Sequence, residues 1–236
     1  MISSTPHSYS DGDTTFIGRL VHDDAVSGQR PGVLIIPAFG GLGSFEIERA
    51  EELAALGYVV LAVDYYGEGA QASGPEQAGA WMSALNADRP LVARRITAAF
   101  EELRSLPMVD PARIGAMGYC FGGKIALDLA RTGADLRAAV SLHGLFDAPP
   151  MPRQTMKAAV LACHGWDDPL ATPEAVLAFA AEMTETCPDW QLLAFGHTGH
   201  AFTNPNANSA GMMYSPAASQ RSWDNLTRFF ADKLKV

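Results

Sequence analysis

Gly118-Tyr119-Cys120-Phe121-Gly122 places a nucleophilic residue between small ones. Before it, Arg113-Ile114-Gly115-Ala116-Met117 reads as a strand. After it, Gly123-Lys124-Ile125-Ala126-Leu127-Asp128-Leu129-Ala130 reads as a helix. A small-x-nucleophile-x-small pattern between strand and helix is the signature of a nucleophile elbow. The turn is so tight that its central residue adopts a strained backbone and side chains at the flanking positions would collide. That is why glycines stand at 118 and 122. The strain lifts the central side chain out at the carboxyl end of the sheet, above the helix N-terminus. Here it is a thiol rather than a hydroxyl.

Working outward from the elbow, strand and helix patterns alternate. Val33–Ile36, Val59–Val63, Arg113–Met117, Ala139–Leu142, Ala158–Ala162 and Gln191–Phe195 are short apolar runs with branched residues, as strands buried on both faces should be. Thr14–Val21 reads as an earlier strand. Between them lie helical stretches at Phe45–Leu56, Leu91–Leu106, Phe121–Arg131 and Pro173–Glu185. Pro107 stops the second of these, and Thr172-Pro173 starts the last. Ser215-Pro216 opens a final helix with Trp223, Leu226, Phe230 and Leu234 on one face. The expected fold class is therefore α/β: a mostly parallel sheet with helices on both faces. A loose polar lead at 1–12 precedes a single domain at 13–236. Only residues 143–157 separate the strands ending near Leu142 and starting near Ala158, which leaves no room for an inserted lid domain.

The bulk composition narrows the classes. With 236 residues, 48% of them hydrophobic and 18% charged, the chain can bury a large core. A net charge of −9 speaks against a nucleic-acid surface. No apolar run approaches the roughly 20 residues of a membrane span. Three cysteines, Cys120, Cys163 and Cys187, and an N-terminus without a basic-then-apolar signal give the expectation of a reduced cytoplasmic location.

A nucleophile at an elbow needs a base, and the base needs an orienting acid; in this architecture they follow in the order nucleophile, acid, histidine. His164-Gly165-Trp166-Asp167-Asp168-Pro169 supplies the acid after the strand Ala158–Ala162. Gly-x-x-Asp from Gly165 favours Asp168, with Asp167 the alternative. His197-Thr198-Gly199-His200-Ala201-Phe202 supplies the base, His200 favoured over His197. A lone cysteine after a strand is usually a packed structural thiol, as Cys163 and Cys187 read; acid and base on the later loops separate Cys120 from that reading. The two histidines have no second ligand cluster to match, so no metal is expected. Oxyanion donors are expected from the backbone N–H of Phe121, at the helix N-terminus, and from Phe39 or Ala38 on the glycine-rich loop after Ile36. Tyr119, His143 and Trp166 are candidates to line the pocket.

These features resemble the dienelactone hydrolase family, also called carboxymethylenebutenolidases. The resemblance runs through Tyr9-x-Asp11-Gly12, Arg30-Pro31-Gly32-Val33, Gly57-Tyr58-Val59-Val60, Asp64-Tyr65-Tyr66-Gly67, Gly118-Tyr119-Cys120-Phe121-Gly122-Gly123, Asp168-Pro169 and His200-Ala201-Phe202. It implies an α/β-hydrolase fold without a lid, no cofactor, and a triad of Cys120, Asp168 and His200 that opens lactones and cleaves esters. Two departures stand out. Where the family has a glutamate on the oxyanion loop, this chain has Ala38, with Glu46 and Glu48 further on. Where well-studied members have arginines for a substrate carboxylate, it has Asn204 and the arginine-free segment Pro75–Ala84. Arg89, nearby, reads as a solvated residue at a helix start. These departures argue against dienelactone itself as substrate. The expected activity is hydrolysis of a small-molecule ester or lactone. The alternative is a thiol-based electrophile binder or sensor on a hydrolase scaffold.

Overall fold

Eight strands form one sheet in a computed structural model that describes residues 1–150 and 152–235. In chain order they are β1 (Ile2–Ser10), β2 (Thr15–Asp23), β3 (Arg30–Ile36), β4 (Val59–Ala62), β5 (Val109–Tyr119), β6 (Ala138–Leu142), β7 (Ala159–Gly165) and β8 (Trp190–Phe195). The spatial order is β1-β2-β4-β3-β5-β6-β7-β8. β1 and β2 are antiparallel, and β2 runs antiparallel to β4; from β4 to β8 every pairing is parallel. Among the described residues the helices are α1 (Ser44–Ala55), α2 (Pro75–Ala87), α3 (Arg89–Ser105), α4 (Phe121–Arg131), α5 (Pro173–Thr186) and α6 (Pro216–Leu234).

The central strands are apolar throughout because both faces are covered. In β3, Leu34 and Ile36 join the core beneath α3, α4 and α5, while Val33 and Ile35 join the core beneath α1 and α6. On α6, Leu226, Phe230 and Leu234 are buried on the expected face. The β6–β7 connection holds no helix or strand among its described residues, so no lid domain is inserted there. Among the described residues no helix is long and apolar enough to cross a membrane.

Three expectations change. Residues 2–10 are an edge strand, not a loose lead: β1 pairs with β2 from Ile2↔Asp23 to Ser10↔Thr15. Its sequence is polar because only Tyr9 is buried, stacked on Phe16 at 5.2 Å. Helix α2 was not anticipated, since it buries only Ala78 and Leu85 and carries little periodic signal. Arg89 is buried, not solvated. Helix α3 begins at this residue, with the Asp88 carboxylate accepting from the Leu91 N–H at 3.0 Å.

The burial of Arg89 belongs to a network of charges. Its Nε and Nη2 donate to Asp128 Oδ2 at 3.0 and 2.5 Å, and Nη1 donates to Asp147. Arg131 donates to Asp128 Oδ1 at 3.1 Å and grips Glu182 with two bonds of 2.8 and 2.6 Å. Four charges of balanced sign are thereby removed from water between α3, α4 and α5. A buried pair is costly to break because the remaining charge is left uncompensated. Arg131→Met should therefore lower the free energy of unfolding by about 3–5 kcal/mol, measured by urea denaturation. A midpoint unchanged from wild type would show that Glu182 does not need the Arg131 cation.

Candidate active site

Cys120 is the residue between β5 and α4, with φ 53° and ψ −116°. A non-glycine residue there is strained, so the surroundings must hold it. They do so through close backbone packing. A Cβ at Gly118 would meet the Gly122 carbonyl oxygen at 2.1 Å, and a Cβ at Gly122 would meet the Ile36 oxygen at 2.2 Å. Cys120 N–H donates to Leu142 O at 3.0 Å, and its carbonyl accepts from Lys124 N–H at 3.2 Å. Cys120 as a whole is 8% exposed. It stands at the N-terminus of α4, where the Phe121 N–H has no acceptor within the helix.

The loops carrying Asp168 and His200 meet beside it. His200 Nδ1 and Asp168 Oδ2 are 2.7 Å apart and both residues are buried. The other carboxylate oxygen of Asp168 accepts from Leu170 N–H at 2.8 Å. Asp167 and His197, the alternatives from sequence, both lie exposed; Asp167 contributes only its N–H, to Thr198 O. A short hairpin of β9 (Asn208–Ser209) and β10 (Met212–Met213) fixes the backbone of His200. His200 N–H donates to Gly211 O at 2.8 Å, and Met213 N–H donates to His200 O at 3.2 Å.

The electrostatics single out His200. Burial pushes its imidazole down, but hydrogen bonding to Asp168 and interaction with Cys120 outweigh that and push it up to about 10. Its Nε2 is buried without a well-formed hydrogen bond among the described residues, and Cys120 raises its proton affinity. His143 lies with its ring 5.1 Å from His200, edge to face, and bonds Thr203 Oγ1 at 2.7 Å through Nε2. Burial, then the neighbouring His200, hold His143 well below the ordinary histidine range.

The remaining candidates divide. Phe39 and Ala38 sit half-buried on the loop after β3. Ala38 N–H already faces Glu46 Oε1 at 3.4 Å, while Gly43 N–H donates to Oε2 at 3.1 Å. Glu46 is buried and its carboxyl is raised by that burial. Tyr119 turns to the opposite face of the sheet from Cys120, packing edge-on against Phe45 at 5.0 Å. Trp166 is 46% exposed, at the rim. Asn204 is an exposed turn residue whose Oδ1 accepts from Asn206 N–H at 2.9 Å. Among the described residues no cluster of three or more His, Cys, Asp or Glu side chains is arranged to hold a metal.

Of Glu46 and Glu48, the two glutamates that follow the oxyanion loop in sequence, Glu46 is the one that reaches it; its spacing three residues after Gly43 is that of a helix N-terminal acceptor. Sequence reasoning missed the tyrosine pair and the hairpin. The Tyr65 and Tyr66 hydroxyls donate to Ala38 O at 2.7 Å and Phe39 O at 2.8 Å; their adjacency after a strand was visible, their target was not. The His200 hairpin carries no apolar alternation and left no signal.

A probable 2-oxo-3-(5-oxofuran-2-ylidene)propanoate lactonase from Bradyrhizobium is 27% identical over 85% of this chain and 83% of its own length. A putative carboxymethylenebutenolidase from Aquifex aeolicus is 26% identical over 87% of this chain and 89% of its own. The crystal structure of a dienelactone hydrolase-like promiscuous phosphotriesterase from metagenomic libraries superposes with a TM-score of 0.92, at 37% identity and 98% coverage of both chains. The model of the dienelactone hydrolase family matches residues 16–234. A single-domain α/β-hydrolase fold and a family match over nearly the whole chain give the conclusion: this protein is a hydrolase belonging to the dienelactone hydrolase family.

Proposed function

We propose that the chain cleaves small carboxylic esters and lactones through Cys120, His200 and Asp168. The observation that carries this reading is the 2.7 Å contact of His200 Nδ1 with Asp168, which leaves Nε2 without a hydrogen bond beside the strained Cys120. With its basicity raised, His200 takes the thiol proton and the sulfur attacks the carbonyl carbon. The oxyanion of the tetrahedral adduct accepts from the N–H groups of Phe121 and Phe39. Collapse expels the alcohol oxygen, which leaves with the proton from His200, and a thioester remains. His200 then draws a proton from water; the resulting hydroxide adds to the thioester, and breakdown restores the thiol and releases the acid. Asp168 fixes the imidazole tautomer and supports its cation. Thiolate is itself a good leaving group, so adducts of amides revert while those of esters and lactones go forward. The lactonase relative from Bradyrhizobium supports the lactone class.

One proton serves two neighbouring imidazoles, and their surroundings separate them. His143 stays neutral while His200 carries the charge. A second cation 5 Å from the first would oppose the proton transfer that each half-reaction needs.

On a panel of neutral aryl esters, lactones and an aryl dialkyl phosphate, Cys120→Ala should lose about 10⁴-fold or more in kcat/KM while retaining its melting temperature. His200→Ala and Asp168→Asn should also lose activity severely, whereas His197→Ala and Asp167→Asn should remain within about threefold of wild type. A Cys120→Ala variant with near-normal turnover would refute the thiol mechanism. An acyl burst without turnover would favour the electrophile binder instead.

His143 gives a pH prediction. Its folded-state pKa lies below the unfolded value near 6.5, so under acid the unfolded chain binds a proton that the native state refuses. Native stability is thereby lost as pH falls below about 6.5, by up to about 1.4 kcal/mol per pH unit. Urea denaturation from pH 7 to 5 should show a shallower loss in His143→Gln than in wild type. Equal slopes would mean that His143 is protonated in the native state.

A further inference from the structure

Cys120 and the triad are not the only groups near the reacting centre. The loop Pro37–Phe39 is held from several sides. Glu46 takes the Ala38 N–H, Tyr65 donates to the Ala38 carbonyl, and Tyr66 donates to the Phe39 carbonyl. Gly41 N–H closes a turn onto the same Ala38 oxygen at 3.1 Å. The peptide bonds here are trans, and in a trans peptide the carbonyl and the following N–H point in opposite directions. Whatever fixes the Ala38 carbonyl therefore also fixes the Phe39 N–H.

Tyr65 is placed to do this rigidly. It is 3% exposed, and its ring packs edge-on against Phe121 at 5.9 Å, beside the other expected donor. Tyr66 packs against Tyr65 at 4.6 Å and against Trp81 of α2 at 5.0 Å. We infer that Tyr65, backed by Tyr66, is a positioning residue for acyl transfer: its hydroxyl pulls the Ala38 carbonyl away from the substrate and so aims the Phe39 N–H at the oxyanion. This rests on the hydrolytic reading of Cys120. Burial raises both phenols, Tyr65 well above 10 and Tyr66 to about 12, so both remain donors throughout the working range. Helix α2 acquires a purpose in this arrangement, since Trp81 closes the outer side of the tyrosine pair.

The test separates oxyanion stabilisation from nucleophile reactivity. Iodoacetamide alkylates a thiol by displacement at a saturated carbon, with no oxyanion; hydrolysis of 4-nitrophenyl butyrate needs one. In Tyr65→Phe, kcat for the ester should fall about tenfold, less than the 10²–10³ of losing a donor outright, because Gly41 N–H still holds Ala38. KM and the alkylation rate of Cys120 should stay within about twofold. Tyr66→Phe, at a half-exposed position, should show the same pattern more weakly. Adding Tyr66→Phe to Tyr65→Phe should deepen the loss in kcat alone. If hydrolysis and alkylation fall together, or if KM rises at constant kcat, the bracing role is overturned. Full activity in Tyr65→Phe beside an inactive Cys120→Ala would likewise refute the bracing and leave the hydrolytic reading standing. Turnover in Cys120→Ala would refute the reading beneath it.

Discussion

The first turn of α4 presses its backbone against the end of β3 so closely that no side chain fits between them. The Ile36 oxygen lies where a Cβ of residue 122 would have to be, and the Gly122 oxygen blocks a Cβ at 118. This contact does more than strain Cys120. It brings the helix N-terminus against the strand whose continuation is the Pro37–Phe39 loop, joining segments far apart in sequence. The parallel register of β5 with β6 then places Leu142 O to receive the Cys120 N–H. The site is assembled from main-chain atoms first, and side chains are added to it.

That order explains what the sequence made legible. Glycines at 118 and 122 carry a steric meaning that survives without any knowledge of neighbours, so the elbow could be read directly. The same holds for branched apolar runs such as Val33–Ile36, where burial on both faces demands continuous hydrophobicity. The favoured pair of Asp168 and His200 came from their loops and their order, and the structure brings those two residues together rather than Asp167 and His197. What stayed hidden depends on long-range partners. Arg89 looks like any helix-start cation until Asp128 and Asp147 surround it. Residues 2–10 are polar because an edge strand buries little, and their order comes from pairing with β2. Tyr65 and Tyr66 owe their importance to carbonyls more than twenty-five residues earlier.

Electrostatics in this protein work by segregation. On one side of the sheet, arginines and carboxylates are buried together and compensate one another. At the site, a single imidazole is made strongly basic while its neighbour is kept neutral by burial. Placing a mobile proton at His200 is easier when nearby groups do not compete for it.

His200 is fastened to its hairpin by bonds between main-chain atoms, one to Gly211 O and one from Met213 N. Neither bond depends on which side chains the hairpin displays. Gly199 and Gly211 are constrained, since a Cβ at 199 would strike the Gly211 oxygen and residue 211 has φ 75°. Met212 and Met213, by contrast, lie exposed beside the histidine. The side chains at these two positions can therefore be exchanged by laboratory evolution while the backbone attachment of His200 stays as it is.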